Sequence, residues 1–156
     1  MNTAPPPAAP VYEGLVTRAI AFAVDAAIID LIALVVGVGL GLALSILSIS
    51  DNLRTVLLAC GAAAFVVWTV AYFAVFWSTT GQTPGNRLMH IRVCDADHGT
   101  VLSPRRSLLR FGALLLAALP LFAGFLPILV DDRRRGVHDM LAGTVVVGVP
   151  SRVPSP

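Results

Sequence analysis

Arg18 and Asp25 lie seven residues apart in an apolar stretch, Arg18-Ala19-Ile20-Ala21-Phe22-Ala23-Val24-Asp25, and Asp30 follows five positions later. Near the other end, Arg133-Arg134-Arg135-Gly136-Val137-His138-Asp139 sets three cations ahead of a His-Asp pair. Ionisable groups inside hydrocarbon cost a few kcal/mol or more, so they are kept where they pair or line an ion path. Three chemistries use these residue types. A buried carboxylate can carry a proton, an arginine and a carboxylate can clasp two segments together, and a His-Asp pair is half of a metal or acid–base site. A metal site needs about three or four ligands, whereas His90 and His98 lie in a different segment from His138. The expectation is therefore a hydrogen-bonded turn in which Asp139 caps or pairs with an arginine, with no metal and no cofactor.

The elements that must position these residues are membrane helices. Of 156 residues, 56% are hydrophobic and 13% charged, and the mean hydropathy is +0.83. A soluble domain carries about 25% charged residues, so the class is integral membrane. Leu31–Ser50 has 20 positions without a charge, and its helix is expected to begin near residue 18; Thr55–Trp77 has 23. Each is long enough to cross about 30 Å of hydrocarbon. The short link Asp51-Asn52-Leu53-Arg54 makes them a hairpin. Phe111–Val130 is also uncharged but carries Gly112, Pro120, Gly124 and Pro127. Proline removes a helical hydrogen bond and kinks the chain, so this third segment is either a kinked span or a re-entrant hairpin. The expected spans are 18–49, 55–77 and 108–130, within a single membrane domain at 12–149. Residues 1–11 and 150–156 read as disordered tails, and no cleavable leader is apparent.

Charge placement orients the chain. The loop between the second and third segments holds Arg87, Arg92, Arg105 and Arg106, which places it and the N-terminus in the cytoplasm of a plasma (inner) membrane protein. A re-entrant third segment keeps Arg133, Arg134 and Arg135 on that same side, where they would meet anionic headgroups at about 1 kcal/mol each. A full crossing would put this cluster outside.

Helix one carries Ala33, Gly37, Gly41 and Ser45 at four-residue spacing, a strip that permits close helix approach in lipid. Packing against the second helix is the plainer expectation, docking another subunit the sharper one. Leu88–Asp95 alternates as a half-buried strand does. Asp95–Gly99 reads as a turn after which Thr100–Leu102 pairs back, and Thr144–Val149 offers a further strand. Cys60 and Cys94 do not form a disulfide framework. An all-α integral membrane fold with a small cytoplasmic β-element results.

Arg18 and Asp25 share a helix face but stand about 10.5 Å apart along the axis, so each needs a partner from elsewhere. Arg110 is the first candidate for Asp25 and Arg87 the second, while Arg18 is expected to meet Asp139. Asp30 lies about 140° around the helix from Asp25 and cannot share its partner.

These residues, with Gly14, Thr80-Gly81-Gln82-Thr83-Pro84-Gly85-Asn86-Arg87, Ile91-x-Val93 and His138-Asp139-Met140-Leu141-Ala142-Gly143-Thr144, occur in an order that resembles the RDD family of membrane proteins over residues 12–149. The signature arginine would be Arg18, and the aspartates Asp25 and Asp139. Asn86 stands where the family pattern usually has lysine. The resemblance implies an integral membrane domain, with some members linked to cation/proton antiport and others similar to accessory parts of larger assemblies.

Catalysis has no positive signal. Gly81–Gly85 lacks the ending of a phosphate loop, and Ser78, Ser103 and Ser107 sit in no nucleophile motif. Nucleic-acid binding is not expected, because the aromatics lie mainly in the apolar runs. The expected function is that of an accessory or scaffold subunit, partnered by the bilayer and by a membrane protein or a second copy. The alternative is an oligomeric cation/proton exchanger using Asp25 or Asp30.

Overall fold

A computed structural model of the chain describes residues 10–47 and 49–149. The expected tails at 1–11 and 150–156 fall outside these residues except for Pro10 and Val11. Val11 is tied down, its carbonyl accepting from the Gly148 N–H at 2.9 Å. Two long helices, α1 (Leu15–Ile46) and α2 (Asp51–Thr79), form the expected hairpin. Both are long and apolar enough to cross a membrane. The link is residues 47–50 rather than 51–54, because Ser50 caps α2 by accepting from the Leu53 N–H at 3.4 Å. Asp51 in the first turn then suits the positive end of the helix dipole.

After α2 the chain turns at Gly81 (φ 72°) into the short helix α3 (Pro84–Leu88). Thr83 caps it and Pro84 occupies its first turn, where a missing N–H costs nothing. Strand β1 (Ile91–Asp95) follows and pairs antiparallel with β2 (Thr144–Gly148), from Ile91 opposite Gly148 to Asp95 opposite Thr144. The expected return of Thr100–Leu102 does not occur as a strand. The Asp95 N–H donates to the Thr100 carbonyl at 2.8 Å, and β2 fills the neighbouring edge instead. Residues 11–13 cover the other edge of β2 through a bridge between Tyr12 and Val147.

The third segment is a bent pair. Helix α4 (Pro104–Ala118) is followed by a 3-10 helix (Ala123–Leu129) at 104° to it. Pro120 stops α4, and Leu121 (φ 50°) and Phe122 (φ 62°) reverse the chain in the left-handed region. Gly124 lets the returning arm lie against α4, since a Cβ there would stand 2.5 Å from the Ala117 Cβ. Gly112 interrupts nothing. The segment turns back on itself: Arg106 in the first turn of α4 donates to the Ala142 carbonyl at 3.1 Å, and Arg134 after the return accepts from Arg18 at 2.7 Å. The start of α4 is thus tied to the segment that follows the return, and that segment is tied to Arg18 near the start of α1. At 1.5 Å per residue, the 15 residues of α4 rise about 22 Å, short of a bilayer's hydrocarbon.

Helix α5 (Val137–Ala142) leads through Gly143 (φ 62°) into β2. The core lies at this polar end, where Trp77, Phe73 and Tyr72 of α2 pack with Ala21, Ile29, Ile91, Val93, Leu102 and Val146. The far halves of α1 and α2 are largely bare. The strip expected to pack on α2 does not. A Cβ at Gly37 or Gly41 would meet nothing within 4 Å, Ser45 is exposed and bonds its own helix at Leu42, and Ala33 is half-buried. In this half of α1 it is Leu40, off the strip, that lies against Gly61 of α2.

The two glycines of the third segment, Gly112 in α4 and Gly124 in the 3-10 helix, should part company. Gly124→Val should lower stability in detergent by about 1–3 kcal/mol through overpacking. Gly112→Ala should raise it by about 0.5–1 kcal/mol through helix propensity. Thermal melts check both, and equal effects would remove the close-approach role given to Gly124.

Candidate functional site

Two buried polar centres occupy the end where α1 begins and α2 finishes. The first is built on Asp139, fully buried at the third position of α5. Its Oδ2 accepts from Arg18 Nη1 at 2.5 Å and from the Gly136 N–H at 3.1 Å. Its Oδ1 accepts from Arg110 Nη1 and from the Thr144 hydroxyl, the latter at 3.2 Å. Arg18 spends its other donors on the Glu13 carbonyl at 3.1 Å and the Arg134 carbonyl at 2.7 Å. Arg110 also donates to the Thr144 hydroxyl and lies over the Trp77 ring, 5.0 Å from its centroid. One carboxylate thus ties α1, α4, α5 and β2 together. Burial opposes ionisation of Asp139, but Arg110 and Arg18 outweigh it and hold the carboxyl well below the usual carboxylate range.

The expected pairing of Arg18 with Asp139 is present. The expected pairing of Asp25 with Arg110 or Arg87 is not. Asp25 forms the second centre, where its Oδ1 accepts from the Tyr72 hydroxyl and the Gly85 N–H, both at 2.8 Å. Its Oδ2 accepts from the Thr83 hydroxyl at 2.5 Å. Thr83 Oγ1 in turn accepts the Asn86 N–H at 3.1 Å, which leaves its own hydrogen for Asp25. The physical reason lies in Gly85: a Cβ there would stand 2.1 Å from the Ala21 carbonyl. Without one, the α3 turn wedges against α1 and surrounds Asp25 with neutral donors before any arginine can reach it. Arg87 points to the surface. Asn86, in the place of the usual lysine, is buried. It lines a cavity of about 10 Å³ with Asp25, Thr83, Trp77, Arg18 and Arg110, so the two centres are neighbours.

Tyr72 was invisible as a site residue, being one aromatic among many in an apolar helix. A third pairing was also missed. Asp95 accepts the N–H groups of Asp97 and His98 at 2.9 Å and pairs with Arg106, which reaches on to the Ala142 and Gly143 carbonyls. The backbone N–H groups of His98 and Asp97, then Arg106, hold the Asp95 carboxyl far below its ordinary value. Of the arginine cluster, Arg135 is engaged by Asp131 through two contacts of 3.0 Å. Arg135 brings the Asp131 pKa down to about 2. Arg133 and Arg134 are exposed. Asp30 is exposed on α1 and lines a groove of about 1190 Å³ between α1, α2, α4 and the 3-10 helix.

His138 is buried beside Asp139, its Nε2 3.5 Å from Oδ2, and packs 5.0 Å from the Phe125 ring. Among the described residues no group of three His, Cys, Asp or Glu side chains comes together to hold a metal. Burial pushes the His138 pKa down to about 4, with Asp139 pulling it back only in part. The ring is therefore neutral at pH 7, and its contact with Asp139 is not an ion pair there.

The pattern of the RDD family matches residues 12–143. No curated protein and no solved structure matches the chain.

A pH dependence follows from His138. Its unfolded pKa is near 6.5, so between pH 6.5 and 4 the unfolded chain binds more protons than the folded one. Stability should be constant above pH 6.5 and fall by about 3 kcal/mol as pH drops towards 4. The carboxylates Asp95, Asp131 and Asp139 contribute their own loss only below about pH 4. Melts at pH 7 and 4.5 should separate widely for the native chain and much less for His138→Asn. An equally flat native chain would remove the buried neutral histidine from the account.

Proposed function

The chain belongs to the RDD family, and we propose that it works as a non-enzymatic accessory or scaffold subunit of a larger membrane assembly. The observation that carries this reading is the bare strip of Gly37 and Gly41, where an added Cβ would touch nothing. Small residues matter in a membrane helix where another helix approaches closely, and here α2 makes its contact elsewhere. Asp30 adds to it. This carboxylate is exposed on α1, about 22 Å along the axis from Leu15, and in hydrocarbon it costs a few kcal/mol unless a partner covers it. The polar centres support a structural role for the other charges, because Arg18, Arg110 and Asp139 satisfy one another and Asp25 is held by three neutral donors. Of the arginines in the described residues, nine lie at the polar end and Arg54 at the other, a bias that favours the cytoplasmic side of the plasma membrane for the polar end.

A second reading, an oligomeric cation/proton exchanger, is favoured by one observation. Asp30 is the intramembrane carboxylate that remains open to a groove, whereas Asp25 has its oxygens occupied. In proteoliposomes that reading requires Na⁺-driven pH change abolished by Asp30→Asn, and flux unaffected by the substitution would end it.

The docking reading has a clean test, because bulk at the strip meets nothing within the chain. Gly37→Leu and Gly41→Leu should not lower the melting temperature of the isolated chain, and each should raise it by the shift expected for about 0.5–1 kcal/mol of helix propensity. Recovery of a membrane partner in mild-detergent pull-downs should fall about tenfold, a loss of about 1.4 kcal/mol. Undiminished partner recovery in both variants would sink the docking face.

A further inference from the structure

We propose that the groove between α1 and the returning 3-10 helix is the seat of one anionic phospholipid from the surrounding bilayer, its acyl chains in the groove and its phosphate on Arg134. The lining is apolar along most of its length: Phe22, Phe65, Phe73, Leu114, Phe125 and Ile128 face it. From Leu15 to Asp30 the α1 lining extends about 22 Å, more than one leaflet's share of a hydrocarbon core about 30 Å thick. Its volume of about 1190 Å³ exceeds the roughly 300–1,000 Å³ of pockets that take small ligands.

Charge decides which lipid. The polar groups lining the groove are Arg18, Thr69, Asp30 and His138. Arg18 is committed to Asp139 and two carbonyls, and the Thr69 hydroxyl donates to the Phe65 carbonyl of its own helix. At the polar end, the Arg134 guanidinium lies beside Gly14, so close that a Cβ there would be 2.7 Å from Nη1. Gly14 adjoins Leu15, the first residue of the lining. Among the described residues Arg134 makes no ion pair, unlike Arg135, which Asp131 holds. A cation without a carboxylate thus stands where a headgroup would lie if its chains followed α1 towards Asp30. Asp30 at the far end disfavours the reverse orientation.

The test uses the full chain in mild detergent and native mass spectrometry, with phosphatidylglycerol or phosphatidylcholine of identical acyl chains added. One phosphatidylglycerol per chain should be retained, about fivefold over phosphatidylcholine, the factor expected of one cation at an anionic headgroup. Arg134→Gln should abolish that preference, while Arg105→Gln, an equal loss of charge at an exposed position that does not line the groove, should keep it. Ala23→Phe, which fills the groove from α1, should reduce retention of both lipids. Equal retention of the two lipids by the native chain would overturn the proposal. So would equal effects of the two arginine substitutions, retention unchanged by Ala23→Phe, or a lipid-free dimer in place of the lipid-bound chain.

Discussion

Everything at the polar end depends on Asp139 accepting hydrogen bonds from two arginines on two different helices. Arg18 comes from the first turns of α1 and Arg110 from the second turn of α4. Removing one side of such a buried arrangement costs about 3–5 kcal/mol, because the remaining charges are left unpaired. The bond also sets chain geometry. Arg110 enters the third segment and Asp139 follows it, so the chain between them must go in and come back. A straight span would carry Arg110 and Asp139 to opposite faces of the membrane. The reversal at Leu121 and Phe122, two non-glycine residues in the left-handed region, is the local strain that this tie sustains.

The two family aspartates are treated in opposite ways. Asp139 meets cations, which fix its charge, whereas Asp25 meets a tyrosine, a threonine and a backbone N–H. Neutral donors orient a carboxylate without demanding a buried counter-charge, and they come from two elements, α2 and the turn before α3. The first centre therefore closes the re-entrant segment onto α1, and the second closes the loop after α2 onto α1. Helix α1 is the shared post. Its face at Arg18, Ala21, Asp25 and Ile29 is buried at near-helical spacing, which is the periodicity a single packed stripe produces.

The sequence made some of this legible and hid the rest for definite reasons. Arg18 and Asp139 could be joined because an isolated charge in an apolar run demands an opposite one, and few were on offer. The same logic misassigned Asp25, since it counts charges and is blind to hydroxyls and peptide groups. Thr83 and Gly85 were visible as a motif, but their meaning depends on Gly85 touching the Ala21 carbonyl, a contact 64 positions apart. The break in the third segment was readable in Pro120 and Gly124, while the Arg133–Arg135 cluster only tilted the choice from a kinked span towards a return. The pairing of β1 with β2 was weaker in the sequence, because the local turn at Asp95–Gly99 advertises a hairpin that the distant strand displaces. The strip at Gly37 and Gly41 is visible as a spacing, yet spacing alone does not say which side of a helix faces its neighbour.

What remains is an asymmetry of the whole molecule. One end holds its charges, its sheet and its aromatic core in mutual contact, while the far halves of α1 and α2 bury little. In water that exposure would be a defect. In lipid it carries no hydrophobic penalty, and helix association depends instead on close van der Waals contact. Leucine or isoleucine at positions 37 and 41 would then serve a lipid-facing helix at least as well as glycine, with better helix propensity by about 0.5–1 kcal/mol per position. Glycine gains its advantage where something must come close. Since α2 does not come close there, the strip is open to the neighbour that the docking proposal places on it, and the clasped polar end is the base from which α1 would present it.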